Sequence, residues 1–139
     1  MVFEPLPRSF YEPSAKVVAR RLLGHWLLRQ TAEGLCGGPI VETEAYLEGD
    51  AACHAASGLS ARNRVMFGRP GHAYVYFIYG AHYCVNAVCL PGGRAEAVLI
   101  RAVEPSLGED LLRKRRPALL PRELASGPAK LCQAMAIDR

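Results

Sequence analysis

Residues 73–103 offer three apolar runs of strand length cut by two breaks, and this limits the fold more than any other stretch. Ala73-Tyr74-Val75-Tyr76-Phe77-Ile78-Tyr79 is β-branched and aromatic, Gly80 interrupts it, and residues 83–90 follow before Pro91-Gly92-Gly93 breaks the chain again. Residues 95–103 make the third run. Connections this short join antiparallel neighbours, so the stretch predicts a three-strand meander. Upstream, Ser14 stands as an N-cap to apolar residues at helical spacing over 15–23, which stop at Gly24. Residues 25–29 and 39–44 read as short strands of a hairpin, turning through Glu33-Gly34 and Gly37-Gly38. Residues 47–62, rich in Ala, Gly, Ser and Asp, read as a loop, and helices are expected over 106–116 and 128–137. Helices before and after a contiguous antiparallel sheet indicate a single α+β domain rather than a doubly wound nucleotide fold.

Composition narrows the function classes. At 139 residues the chain suffices for one domain with a core, and with 50% hydrophobic and 22% charged residues it is neither disordered nor fibrous. A formal charge of +4 permits a polyanionic partner without requiring one. The five cysteines form no C-x-x-C pair and no disulfide-framework spacing, which suits a reducing compartment. Only Cys53-His54 bring metal-ligand types together, and adjacent residues chelate one ion poorly, so no metal is expected. With no signal-peptide pattern and no apolar run of membrane-span length, a soluble, cytoplasmic protein is expected, nucleoid-associated if bacterial.

Three groups of residues can carry chemistry. In a strand, Val41-Glu42-Thr43-Glu44-Ala45-Tyr46 places Glu42, Glu44 and Tyr46 on one face. Next-but-one side chains stand about 6.5–7 Å apart, near the spacing at which two carboxylates flank a water for glycoside hydrolysis. Periodicity does not choose between the two, and the same pattern also describes a solvated strand face. Tyr74, Tyr76, Tyr79 and Tyr83 crowd one stretch, and flat rings suit an extruded base, with Tyr79 beside Gly80 where a hairpin-tip wedge would stand. Tyrosines also simply cover sheets, the reading taken for Tyr74. Arg101 lies within an apolar strand and needs a carboxylate, Glu44 by preference, with Glu104 or Glu96 as structural alternatives. The run Arg113-Lys114-Arg115-Arg116 reads as a solvated helix face with at most a nonspecific role.

Val41-Glu42-Thr43-Glu44-Ala45-Tyr46, Arg62-Asn63-Arg64-Val65-Met66-Phe67, Tyr74 through Gly80, Leu99-Ile100-Arg101-Ala102-Val103-Glu104-Pro105 and Ser126-Gly127-Pro128-Ala129-Lys130-Leu131-Cys132-Gln133 together resemble the alkyladenine (3-methyladenine, methylpurine) DNA glycosylase family. The resemblance runs nearly end to end and rests on five ordered motifs. It implies a curved antiparallel sheet with surrounding helices, of the formyltransferase C-terminal-domain type. It implies base excision repair: a monofunctional glycosylase that flips alkylated or deaminated purines, such as 3-methyladenine, ethenoadenine or hypoxanthine, from duplex DNA and leaves an abasic site. By the resemblance Glu44 is the general base, Arg101 its neighbour, and Glu42 structural. Tyr46, His54, Tyr76 and Asn86 then form the base pocket and Tyr79 intercalates. Lys130, Arg62 and Arg64 meet phosphates, and a monomer without cofactor acts on damaged double-stranded DNA.

The chain departs from the family pattern at Ala56-Ser57-Gly58-Leu59-Ser60, where an arginine and a threonine usually touch DNA, and at Ala81, where a larger apolar residue is usual. The family's domain also continues beyond the position of Arg139 through further strands, so a C-terminally truncated domain is expected. Two other functions fit the residues: a carbohydrate hydrolase using Glu42 and Glu44, and a truncated, non-catalytic DNA-binding module.

Overall fold

The computed structural model describes residues 3–50, 63–78, 80–117 and 120–139. Five strands form one curled antiparallel sheet in the order β1-β2-β5-β4-β3. They are β1 (Trp26–Thr31), β2 (Gly34–Tyr46), β3 (Ala73–Ile78), β4 (His82–Cys89) and β5 (Glu96–Val103). Among the described residues three α-helices accompany it: α1 (Ala15–Leu22), α2 (Glu109–Arg115) and α3 (Pro128–Met135). The α+β class and the β3-β4-β5 meander are those the sequence predicts.

Alternation along the strands sorts the apolar side chains onto two faces. Val85, Val98, Ile100, Ile40 and Val103 join α1 and α3 in one cluster with Val18, Leu22, Leu131 and Met135. Their neighbours Cys84, Val88, Ala97 and Leu99 turn the other way and pack with Met66, Tyr74 and Tyr76. The helices therefore cover one face, and the tyrosines furnish the other.

Three local expectations about element bounds change. Gly37-Gly38 makes no turn: it lies inside β2, which starts at Gly34 and reaches Tyr46. A Cβ on Gly37 would collide with the Leu27 carbonyl and one on Gly38 with the Glu104 carbonyl, so these glycines admit close backbone approach instead. Gly37 also exchanges backbone hydrogen bonds with Leu107 and accepts one from Ser106, holding 106–107 extended. The second helix therefore begins only at Glu109, after Gly108 in the left-handed region (φ 61°). The last helix ends at Met135 rather than 137, because Ala136 turns left-handed (φ 54°).

Ser14 occupies the N-cap position of α1 in extended conformation, but its side chain makes no cap bond. The buried carboxylate of Glu96 does that work. Its Oε1 accepts from the Ala15 amide at 2.9 Å, and its Oε2 accepts from the Glu48 amide at 2.9 Å, tying the segment after β2 to β5. The basic run is not a free solvated face either. Arg115 is largely enclosed, its guanidinium donating to the Thr31 hydroxyl, the Ala134 carbonyl and Glu33, while Lys114 also pairs with Glu33 and Arg113 with Glu109. The Arg115 and Lys114 bonds hold the Glu33 carboxyl below its ordinary pKa.

Candidate active site

The site lies where β2 runs beside β5. Ile40 pairs with Val103 and Thr43 with Ile100, but between them Glu42 pairs with Ala102. Val41 on β2 and Arg101 on β5 are thus extra residues, two facing β-bulges in one ladder. Their effect shows in the faces: Ile40 points into the helix-side cluster, yet Glu42, Glu44 and Tyr46 stand opposite, with Thr43 donating its hydroxyl to the Ala19 carbonyl of α1. The bulge on β5 likewise turns Arg101 to the carboxylates while Val103 returns to the core.

Arg101 spans both acids. Its Nε donates to Glu42 Oε1 at 2.7 Å and its Nη1 to Glu44 Oε1 at 3.4 Å. The expected Glu44 contact is present, but Glu42 makes the shorter bond, and Glu96 is engaged with backbone amides instead. The Glu42 bond, aided by both carboxylate charges, holds the guanidinium pKa above its ordinary value. Glu44 Oε1 also accepts from the Tyr46 hydroxyl at 2.8 Å. Burial first, and this bond second, push the Tyr46 phenol up to about 12. Burial likewise raises Tyr76. Both phenols are therefore neutral donors near neutrality.

Tyr46 ends this polar chain and begins an aromatic cavity. Tyr46, Tyr76 and Asn86 meet there with Met66, Tyr74 and Ala97 around a free volume of about 10 Å³. That is room for one water, far below the roughly 300–1,000 Å³ of a ligand pocket. Tyr74 and Tyr76 lie with ring centroids 5.5 Å apart, and Asn86 donates its amide to the Tyr74 carbonyl at 3.3 Å. Larger hollows of about 620 and 590 Å³ exist, one along Val41 and Pro105 and one beneath Phe3 and Trp26. The first is lined in part by Glu104 and Arg122 and the second by Glu4, His25 and the rings of Phe3, Tyr11 and Trp26, but neither touches a residue of the Glu42–Arg101–Glu44–Tyr46 chain.

The remaining predicted residues divide. Arg64 is exposed and opens a 3-10 turn, Arg64–Phe67, whose buried Met66 enters the cavity. Lys130 is exposed on the first turn of α3, and the preceding Gly127 amide bonds to the Arg101 carbonyl at 2.8 Å. His54, Arg62 and Tyr79 lie outside the described residues, as do positions 56–60. Ile78 pairs with His82, and Ala81 lies just before β4. Among the described residues no three His, Cys, Asp or Glu side chains converge as a metal site requires. Met66, Tyr74 and Ala97 as cavity walls were not anticipated: Met66 falls within a recognised motif but reads there only as apolar, and Ala97 is one small residue of a buried strand.

Residues 9–139 match the family model described as methylpurine-DNA glycosylase. The chain belongs to the methylpurine-DNA glycosylase family. It is 56% identical over 133 residues to a protein of Carboxydothermus hydrogenoformans, covering 96% of this chain and 70% of that protein. A Methanocella arvoryzae protein is 56% identical over 136 residues (96% and 68%), and one of Koribacter versatilis 50% identical over 139 (97% and 67%). All three carry the name "Putative 3-methyladenine DNA glycosylase". The family match encloses every residue of the polar chain and of the aromatic cavity.

Proposed function

We propose that the protein is a DNA glycosylase of base excision repair that hydrolyses the bond between a damaged purine and deoxyribose. The observation that carries this reading is the continuous line Glu42–Arg101–Glu44–Tyr46 ending at a cavity walled by tyrosines. Of the two carboxylates, Glu44 adjoins the cavity through Tyr46, so Glu44 is the base. It takes one proton from water as the water oxygen bonds to C1′. The N-glycosidic bond breaks and the purine leaves with its electron pair, to be protonated by solvent or Glu44. Arg101 holds the base and its water beside a developing positive sugar.

Damaged purines extrude more easily than paired ones, and pocket shape then selects among them. Tyr46 and Tyr76 stack on the flipped base, His54 completes the pocket and Asn86 sets its edge. Because the cavity has room for about one water, the base enters only as its walls part. Tyr79 fills the vacated stack, while Arg62, Arg64 and Lys130 meet phosphates of double-stranded DNA. The substrates are alkylated or deaminated purines, the enzyme acts as a cytoplasmic monomer, and the product is an abasic site.

The test is an abasic-site gel assay on duplexes containing hypoxanthine, ethenoadenine or 3-methyladenine. Glu44→Gln should lower single-turnover excision by at least about a hundredfold while retaining DNA binding. A folded, DNA-binding Glu44→Gln protein that excises at the full rate refutes the assignment of the base.

A further inference from the structure

We propose that the Tyr46 hydroxyl selects the working oxygen of Glu44: with Arg101 it occupies Oε1, leaving Oε2 to accept the proton of the attacking water. The proposal rests on the reading of Glu44 as the base given above.

The two carboxylate oxygens are unlike. Oε1 accepts both the Tyr46 hydroxyl at 2.8 Å and Arg101 Nη1 at 3.4 Å, which uses its two lone-pair directions. Among the described residues no donor reaches Oε2. A carboxylate held at one oxygen cannot swing, so the free oxygen has a defined direction for a water. Next-but-one spacing on β2 makes the bond local: Glu44 and Tyr46 share a face and need no third residue to meet.

Tyr46 therefore has two separable parts. Its ring lines the cavity, and its hydroxyl turns out of that cavity to the acid. The phenol stays a donor across the working range because burial and the Glu44 bond push it up to about 12. Among the described residues the charged and titratable groups around the pair are Glu42 on β2, Arg101 on β5, Cys84 on β4 and Tyr76 on β3. Of these, Arg101 alone is a cation, and it already occupies Oε1. Tyr46 in this role is a positioning residue.

The test measures single-turnover excision of hypoxanthine against pH for wild type, Tyr46→Phe, Glu44→Gln and the double variant. Phenylalanine keeps the ring, so affinity for a duplex holding an uncleavable abasic analogue should change less than about twofold. Removing a donor from the ionised acid should move the acidic limb of the rate to higher pH. The plateau should fall about tenfold as the acid loses its orientation. In the Glu44→Gln background the second substitution should change nothing further. Fluorotyrosine at position 46, a stronger donor, should move the limb to lower pH, a result a merely structural role does not produce. If Tyr46→Phe keeps the wild-type plateau and limb while Glu44→Gln is inactive, the hydroxyl proposal is overturned and the base assignment survives. Full excision by Glu44→Gln overturns the base assignment itself.

Discussion

Arg101 shows why residue identity matters at this site. One guanidinium reaches two carboxylates through different nitrogens, which a lysine's single ammonium cannot copy. The pairs are open to solvent, with Arg101 35% exposed and Glu42 and Glu44 57% and 47%, so they add little to stability, about 0–1 kcal/mol each. Arg101→Lys should thus slow single-turnover excision about tenfold or more while the melting temperature moves by no more than a few degrees; an equal loss of stability and activity would contradict a positioning role. Much of this was legible beforehand. Period two puts Glu42, Glu44 and Tyr46 together, and the cost of an unpaired arginine in an apolar strand sends Arg101 to an acid. That Glu42 takes the shorter bond was not legible, because it depends on a bulge. Sequence offers Glu96 only as a partner for a cation, whereas its partners are the Ala15 and Glu48 backbone amides, which leave no signature in a sequence.

Among elements, the strands and α1 follow composition closely, and the errors collect where glycine is ambiguous. A Gly-Gly pair signals a turn when only local sequence is read. Here Gly37-Gly38 sits inside β2, crowded by the Leu27 and Glu104 carbonyls, the latter far off in the chain. Gly38→Ala should therefore destabilise the fold by about 2 kcal/mol or more, measured by urea unfolding, although alanine is harmless in most strands. A variant as stable as wild type would mean the Glu104 strand end yields easily. The second helix is shortened for the same reason, since 106–107 bond to Gly37 before α2 can start. Within the basic run Lys114 keeps the expected exposure, and Arg115 departs from it because its partners, Glu33, Thr31 and the Ala134 carbonyl, are brought by tertiary packing.

At the scale of the molecule, the sheet separates a helix-covered core from an aromatic face, and thiols are buried in both. Cys89 and Cys132 are pushed up to about 12, in each case chiefly by burial, and Cys84 is raised too. The folded state then holds protons that the unfolded chain releases from about pH 9. Stability is complete below that value and declines as pH rises toward about 12, so the melting temperature should fall between pH 8 and pH 10.5; a flat profile would show that these thiols titrate normally. The facing bulges at Val41 and Arg101 add a constraint of arithmetic. Each strand carries one surplus residue, and the pairing before and after them keeps the same count. Deleting Val41 makes Ile40 and Glu42 neighbours, and ordinary alternation still sends one to the core and the other to the carboxylate face. Deleting Arg101 likewise keeps Ile100 and Val103 on the core face but discards the cation, so the surplus residue of β5 serves the chemistry and not the core.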